Sequence, residues 1–416
     1  MMPPCVELVA TGSELLSGRS VNTHARLLAM RLRPLGLTLA RETTVPDDPE
    51  AMAGAIREAL ARAAVVVVSG GLGPTSDDGT REAAAGALGL GLREDGETLR
   101  RLAERRAGSG LPLTPLRRRQ AMVLEGAEVW QNPVGSAPGQ RVAAGDAHLI
   151  LLPGPPHEFE ALLDTAVAPW LAAHLPAVPG AERILMTAGL PESEIAARIE
   201  GGGFARDGIT VAYAASPAGV EIRFAAPAGL GEQVAALAEA VAGILDGAVY
   251  SREREDLAAV VLRRLRERGQ TLATAESCTG GGLGARITAV PGSSAAYLGG
   301  VVAYANAIKT AMLGVPSALI DREGAVSAPV AEAMARGVRE RFAADYGIAI
   351  TGVAGPGGGT AAKPVGLVFV GLADAAASRA QALRLPFDRE GNRLAAVQRA
   401  LDALRRRLEG GTGDAR

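Results

Sequence analysis

The chain has 416 residues, of which 48% are hydrophobic, and a formal net charge of −2 at pH 7. This length exceeds one ordinary hydrophobic core, so two or three domains are expected. No apolar stretch is long enough for a membrane span, and the two cysteines, Cys5 and Cys278, are too few for a disulfide framework.

The first sixteen residues, MMPPCVELVATGSELL, lack the charged and apolar regions of an export signal. We therefore expect a cytoplasmic protein with no membrane partner.

Residues 1–170 alternate predicted strands with predicted helices. The strands are residues 5–10 (CVELVA), 65–68 (VVVV) and 148–152 (HLILL), and the helices include 49–63 and 80–90. Such alternation predicts an open, mostly parallel α/β sheet, in which ligands bind at the carboxyl ends of the strands.

A glycine-rich loop follows the valine strand. It contains Gly70, Gly71 and Gly73 and ends where the next helix is predicted to begin. Exposed backbone N–H groups and a helix start both favour an anion. Asp77 and Asp78 would repel a phosphate unless a divalent cation bridged them, so the loop predicts a metal-assisted diphosphate site. The alternative is a turn in which the two aspartates only cap the helix.

Three more segments accompany this loop: residues 12–18 (GSELLSG), 132–139 (NPVGSAPG) and 152–158 (LPGPPHE). Together the four segments resemble the molybdopterin-binding-like domain of the CinA family (competence/damage-inducible protein A). The resemblance implies a metal-dependent ADP-ribose pyrophosphatase. It assigns the divalent metal ion to Asp78, Asp47 and Glu14. It assigns the nucleotide to Gly70, Gly71, Gly73 and Asn132.

Residues 171–253 are predicted to form a small α+β subdomain. Its elements are a strand at 183–189, a helix at 191–200, strands at 209–215 and 219–225, and a helix at 230–245. In CinA-like chains this position holds a KH-type subdomain, a fold that elsewhere binds RNA. Residues 178–250 contain four arginines and nine acidic residues, a net charge of 4 − 9 = −5, which would repel a phosphate backbone. We therefore expect a structural spacer and no nucleic-acid partner.

The last predicted domain, residues 254–416, contains both lysines of the chain and none of its histidines. Of the 43 lysines and arginines in the chain only Lys309 and Lys363 are lysines, and all four histidines precede residue 175. A Ser-His-Asp triad or a histidine-bound zinc is therefore excluded from this domain. Arginine stays charged at any accessible pH, whereas a buried lysine can lose its proton. A catalytic base here is expected to be lysine, tyrosine or a carboxylate.

The domain begins with a predicted helix at 253–268 and a strand at 271–275, followed by residues 276–282 (ESCTGGG). Hydroxyl groups and glycines at a strand-to-helix turn are typical of a phosphate or carboxylate site at a helix N-terminus. Cys278 is interpreted as a small buried thiol, since no histidine is available to deprotonate it.

Two further loops carry candidate catalytic groups. Residues 291–297 (PGSSAAY) precede a strand at 299–303, and Tyr304 and Lys309 follow it. If Ser294 and Lys309 flank the same strand end, a neutral lysine could activate the serine. Residues 351–360 (TGVAGPGGGT) offer free N–H groups for a phosphate or an oxyanion, and the alternative is a flexible surface turn.

The segments ESCTGG, PGSS, AYANAIK, TGVAGPGGG and KPVG in this order resemble the C-terminal domain of CinA proteins, the nicotinamide mononucleotide (NMN) deamidase family. The resemblance implies hydrolysis of the NMN carboxamide to nicotinate mononucleotide and ammonia, without a cofactor. It assigns catalysis to Ser294 and Lys309, assisted by Tyr304. It assigns nucleotide binding to Ser277, Thr279, Gly280, Gly281, Thr351, Gly355, Lys363 and Arg389. The residues alone leave the nucleophile open among Ser294, Ser293 and Ser277.

One departure from the family pattern is Phe387, which stands where the family usually has glycine. The leading hypothesis is a homodimeric enzyme with NMN and ADP-ribose as small-molecule partners. The alternative is a non-catalytic nucleotide- or pterin-binding protein that acts in competence or the DNA-damage response. Retention of lysine in an arginine-biased chain favours the enzyme, because arginine would serve binding equally well.

Overall fold

The structure is a computed structural model, and it describes residues 5–75, 77–107, 113–175, 179–204 and 206–410. The chain divides into two compact units, residues 1–179 and 180–416. Within the described ranges no helix combines the length and the apolar character that crossing a membrane requires.

The first unit is built on a six-stranded sheet in the order β2-β1-β3-β8-β7-β6. Strands β2, β1, β3 and β8 are parallel, and β7 and β6 are antiparallel additions at one edge. Two short strands, β4 and β5, form a separate pair. The strands are β1 (Cys5–Thr11), β2 (Thr38–Val45), β3 (Val65–Ser69), β4 (Leu92–Glu94), β5 (Met122–Leu124), β6 (Glu128–Trp130), β7 (Gly139–Ala144) and β8 (Ala147–Leu152).

Helices cover both faces of this sheet. They are α1 (Ser13–Leu16), α2 (His24–Leu32), α3 (Pro49–Leu60), α4 (Thr80–Leu88), α5 (Gly96–Ala107), α6 (Pro115–Arg118), α7 (Pro156–Leu162) and α8 (Ala168–His174). Short 3₁₀ turns span Arg33–Leu35 and Arg119–Ala121, and a π turn, Leu163–Val167, joins α7 to α8. Val66 and Val68 pack on the α3 side, while Val65 and Val67 pack on the α2 side. Strand β3 is an uninterrupted apolar run because both of its faces are buried.

The second unit contains a four-stranded antiparallel sheet, β10-β11-β9-β12, and a five-stranded sheet, β14-β13-β15-β16-β17. In the larger sheet β14, β13 and β15 are parallel, and β16 and β17 are antiparallel. The strands are β9 (Ala181–Thr187), β10 (Thr210–Ser216), β11 (Gly219–Ala226), β12 (Val249–Ser251), β13 (Leu272–Glu276), β14 (Tyr297–Val302), β15 (Tyr346–Gly352), β16 (Leu367–Ala373) and β17 (Ser378–Arg384).

The helices of the second unit are α9 (Glu192–Gly201), α10 (Gly231–Ile244), α11 (Leu257–Glu267), α12 (Gly282–Thr288), α13 (Asn306–Leu313), α14 (Ser317–Glu323), α15 (Ala328–Phe342) and α16 (Arg389–Leu408), with a 3₁₀ turn at Ser293–Ala295. Helices α11 and α16 contribute to the core on one face of the larger sheet, and α15 to that on the other. The predicted α/β class is confirmed, and the predicted elements occur in the predicted order. The sequence pattern missed β4 to β7, β16 and β17, and it also missed β12, the fourth strand of the smaller sheet. That strand has only three residues, too few to show an alternating pattern.

Candidate functional site

The carboxyl ends of three parallel strands meet at one edge of the larger sheet. The turns after them begin with Ser277, Ala303 and Val353. Parallel strands place such turns side by side, and the structure has a cleft of about 290 Å³ there. Its lining is Ser277, Cys278, Tyr304, Asn306, Lys309, Ala325, Val326, Thr351, Gly352, Val353, Ala354, Gly355, Gly357, Gly358 and Arg389.

Lys309 is buried at the base of this cleft, with only 1% of its surface exposed. Its Nζ lies 2.8 Å from the carbonyl oxygen of Ala303, 3.2 Å from that of Tyr304 and 3.1 Å from Ser277 Oγ. Within the described residues no carboxylate forms an ion pair with it. Burial lowers the pKa of Lys309 from its ordinary value, because desolvation penalises the ammonium form.

These three contacts suit either charge state of the amine. An ammonium donates one N–H to each oxygen, whereas a neutral amine donates to the carbonyls of Ala303 and Tyr304 and turns its lone pair to Ser277. The Ser277 hydroxyl can then donate its proton to Nζ. This is the arrangement by which a lysine activates a serine nucleophile.

Ser277 is held at this position by the backbone. Its N–H donates to the carbonyl of Ile350 on the neighbouring strand, and its own carbonyl accepts from the N–H of Gly280. Cys278, the next residue, is a poor alternative nucleophile, because burial raises the pKa of its thiol to about 11. The expectation of a small buried thiol agrees with this environment.

The expected anion site at the start of α12 needs a correction. The carboxylate of Glu276 accepts hydrogen bonds from the N–H groups of Leu283 (2.9 Å) and Gly284 (2.8 Å). Two backbone donors in the first turn of the helix are therefore already used by a residue of the chain itself. A phosphate at this helix terminus would have to displace a buried carboxylate.

The pairing of Ser294 with Lys309 also needs a correction. Ser294 lies in the turn before β14, and Lys309 lies in the helix after it. Strand β14 has six residues, and at about 3.3 Å per residue the two turns are roughly 20 Å apart, at opposite ends of the strand. Within one chain Ser294 therefore does not reach Lys309, and Ser277 does.

Tyr304 contacts the Lys309 amine through its backbone, and the assisting role of its side chain stays a prediction. Its carbonyl holds the amine, whereas the residue is 62% exposed and its hydroxyl lies 3.5 Å from Arg389 Nη2. Arg389 Nη1 donates to the carbonyl of Gly355 at 2.6 Å. The guanidinium thus lies at the mouth of the cleft even though Phe387 precedes it. Thr351 lines the same cleft and donates its hydroxyl to the carbonyl of Ala325.

Four predicted binding residues do not line the cleft: Thr279, Gly280, Gly281 and Lys363. Thr279 is fully buried, and its hydroxyl has no hydrogen-bond partner among the described residues. The amine of Lys363 donates to the carbonyl of Glu323 and ties the glycine-rich loop to the end of α14. Asn306 and Val326 do line the cleft, although the sequence pattern assigned neither a role. Asn306 belongs to the AYANAIK segment, and that segment is the signal that could have indicated it.

A second cleft, of about 230 Å³, lies in the first unit at the carboxyl ends of β1 and β3. It brings together Glu14, Asp47, Asp78, Gly70 and Gly71, as the sequence predicts. Asp77 lines it too, and a hydrogen bond with Thr75 lowers the pKa of its carboxyl. Acidic side chains and glycines therefore line the same cleft.

The predicted metal ligands share this cleft without forming a metal cage. Asp47 Oδ2 accepts from the N–H of Ser13, and Asp78 Oδ2 accepts from the N–H of Thr75. Among the residues that the structure describes, no three histidine, cysteine or acidic side chains are arranged to hold a metal ion. The oxygen donors suit a hard divalent cation chemically, but their placement does not fit one, so no reaction step is derived through a metal.

Asn132 and Gly73 lie outside this cleft. The Asn132 side chain is 4% exposed, donates to the carbonyl of Ala137 and accepts from the N–H of Gly135, so it organises its own loop. His24 is a cleft residue that the sequence did not indicate. Its Nδ1 lies 3.0 Å from Ser69 Oγ, and burial lowers the pKa of its imidazole.

Comparison with known proteins gives three family matches along the chain. Residues 7–173 match the "Probable molybdopterin binding domain", residues 182–251 the "Damage-inducible protein CinA KH domain", and residues 254–408 the "CinA C-terminal domain". These matches confirm the predicted order of a molybdopterin-binding-like, a KH-type and a C-terminal α/β domain.

Similar full-length proteins carry one name. A "CinA-like protein" of Parasynechococcus marenigrum (strain WH8102) is 43% identical over 97% of this chain and 98% of its own length. Another, of Anaeromyxobacter sp. (strain Fw109-5), is 44% identical over 97% of this chain and 99% of its own length. The crystal structure of "the protein CinA with unknown function" from Thermoplasma acidophilum is 39% identical, covers 39% of this chain and 95% of that chain, and has a TM-score of 0.37.

Proposed function

The chain belongs to the CinA family, and from that premise we propose that it is an amidohydrolase that converts NMN to nicotinate mononucleotide and ammonia. One observation carries the proposal. The buried amine of Lys309 lies 3.1 Å from Ser277 Oγ and has no ion-pair partner among the described residues. A lysine in this environment can be neutral and act as a base. A site that only binds a ligand does not need a base.

The proposed reaction begins when Lys309 takes the proton of the Ser277 hydroxyl. Ser277 Oγ attacks the carboxamide carbon, and backbone N–H groups of the glycine-rich loop after β15 hold the oxyanion. One such donor is worth about 3–4 kcal/mol of transition-state stabilisation. Lys309 then gives its proton to the departing nitrogen, so ammonia leaves and an ester forms on Ser277.

Water completes the cycle. Neutral Lys309 takes a proton from a water molecule, the hydroxide attacks the ester carbon, and Ser277 leaves with the proton from Lys309. The net change is one amide plus one water to one carboxylate plus ammonium. Arg389 supports this proposal, since its guanidinium lies at the mouth of the cleft, where it can hold the phosphate of a mononucleotide.

Incubation of the full chain with NMN tests the proposal. Ammonia and nicotinate mononucleotide should appear in equal amounts. Binding of NMN measured by calorimetry without any ammonia release would favour the alternative, a nucleotide-binding protein without turnover.

The pH dependence of kcat should report the ionisation of Lys309. A general base works only when unprotonated, so kcat should rise with pH and level off near the pKa of that amine. Because burial lowers this pKa, the plateau should begin below 10.5, the ordinary value for lysine. The check is kcat at saturating NMN across the pH range in which the protein stays folded. A kcat that is flat or falls as pH rises would contradict a lysine base.

We also propose that the cleft of the first unit binds and hydrolyses the diphosphate of ADP-ribose. The specific support is that Glu14, Asp47 and Asp78 line the same cleft as Gly70 and Gly71. Glycine N–H groups suit the diphosphate oxygens, and the carboxylates suit the activation of water.

Asp78→Asn is expected to lower release of AMP and ribose 5-phosphate from ADP-ribose by about 100-fold, because it removes a charged cleft oxygen that can activate water. The matched control is Asp146→Asn, in an exposed turn away from the cleft. Equal rates in the two variants would remove Asp78 from the site. No release by wild-type protein would leave the first unit as a binding domain.

The predicted homodimer stays a prediction. Strand β14 is at one edge of its sheet and exposes Leu298 and Val302, with Tyr304 just beyond it. An exposed apolar edge of this kind is where we expect a second copy to pack.

A further inference from the structure

A larger pocket lies within the second unit, away from the Lys309 cleft. It has a volume of about 620 Å³ and lies between the KH-type subdomain and the start of α16. Leu190, Val220, Leu385 and Phe387 supply much of its apolar wall. It shares no lining residue with the Lys309 cleft. Its size and mostly apolar wall are typical of small-molecule sites.

Gln398 is an unpartnered polar group in this wall. The residue is 2% exposed, and both the nitrogen and the oxygen of its amide are buried without a hydrogen-bond partner among the described residues. Tyr250 is the polar neighbour of this amide, and its hydroxyl can engage at most one of the two amide groups. Buried amides in folded proteins are normally satisfied, so this one has unused capacity to bind.

Arg399, the next residue, brings an unpaired charge to the same pocket. Its guanidinium makes no hydrogen bond or ion pair within the described parts of the chain, and burial lowers its pKa. Asp402 is the acid that influences it, but that carboxylate already forms ion pairs with Arg405 and Arg406. A half-buried cation without its own counter-ion favours an anionic ligand.

The charged residues that line the pocket also favour an anionic ligand. Two arginines, Arg384 and Arg399, line it against one acid, Glu192. We propose that this pocket binds a small organic anion, which places a carboxylate, phosphate or sulfonate on Arg399 and Gln398. The apolar body of the ligand packs against Leu385 and Phe387. A volume of about 620 Å³ suits a molecule of this kind and is too small for a folded or polymeric partner.

The probe for the test is 1-anilinonaphthalene-8-sulfonate, an aryl sulfonate whose fluorescence rises in an apolar environment. We expect saturable binding to the full wild-type chain and at least about tenfold weaker binding to Arg399→Gln, which loses a charge-assisted contact. Phenyl phosphate should displace the probe from the wild-type chain, and the neutral benzyl alcohol should not.

The matched control is Arg336→Gln, which removes an exposed arginine on α15 outside the pocket and should bind the probe as the wild-type chain does. A second variant, Ala218→Phe, fills the pocket from the β10–β11 turn without changing any charge, and it should also weaken binding. Thermal unfolding shows whether Arg399→Gln folds. If it does not, Ala218→Phe still tests the proposal. Wild-type affinity in a folded Arg399→Gln or in Ala218→Phe, or no saturable binding at all, would overturn the proposal.

Discussion

Lys309→Arg is expected to lower kcat for NMN deamidation by about 10³-fold or more while the protein stays folded. General-base catalysis contributes about 10²–10⁴-fold, and arginine cannot supply it because guanidinium keeps its proton. The larger side chain must also fit a site where Lys309 is 1% exposed. The measurement is ammonia release at saturating NMN, with thermal unfolding as a check on the fold.

Lys309→Met provides the matched variant, since methionine has a similar volume and no ionisable group. Lys309→Arg keeps the positive charge and Lys309→Met keeps a similar volume. The same loss of kcat in both variants would therefore show that the proton-accepting amine itself is needed. A kcat near that of the wild-type protein in either folded variant would exclude Lys309 as the base.

A purely structural role for Lys309 has to be separated from catalysis. Its Nζ joins two backbone carbonyls, those of Ala303 and Tyr304, to Ser277, so the amine could simply hold the loops together. In that case Lys309→Met would lower the thermal stability and change kcat only through misplacement of the loops. The rise of wild-type kcat with pH would then be missing, because a structural ammonium need not lose its proton.

Ser277→Ala is the second large-effect variant and should also lower kcat by about 10³-fold or more, since removal of a nucleophile leaves only the binding and oxyanion contributions. The matched control is its neighbour, Cys278→Ala. Burial raises the pKa of the Cys278 thiol to about 11, so that thiol is not ionised at neutral pH. We expect Cys278→Ala to keep kcat within about tenfold of the wild-type value.

Acid quenching during turnover should trap the nicotinoyl mononucleotide ester on Ser277. Peptide mass mapping locates the adduct, and it distinguishes Ser277 from Ser294 directly. An adduct on Ser294, or full activity in Ser277→Ala, would contradict the geometry of the cleft and return the nucleophile to the serine that the family resemblance indicates.

The order of the elements and the position of the chemistry along the chain could be predicted from the sequence. The valine run at 65–68 predicted a strand buried on both faces, and Val65–Ser69 is one. Glycine-rich turns directly after apolar runs indicated the sheet edges at which both α/β domains have a cleft. The preference of the chain for arginine singled out Lys309 and Lys363, of which only Lys309 lines the cleft of the second unit. These are local signals, since hydrophobic periodicity and turn chemistry depend on residues close together in the chain.

The tertiary structure alone decided which residues meet. Ser294 is closer to Lys309 in the sequence than Ser277 is, but β14 separates the first pair, while the parallel pairing of β13 with β14 joins the second. Likewise, Glu276 occupies the amides of α12, and Gln398 and Arg399 face a pocket made with a different subdomain. The local sequence around a serine, a carboxylate or an amide does not show which group that side chain will contact. Its partner is set by strand register and packing, which bring together residues far apart in the chain.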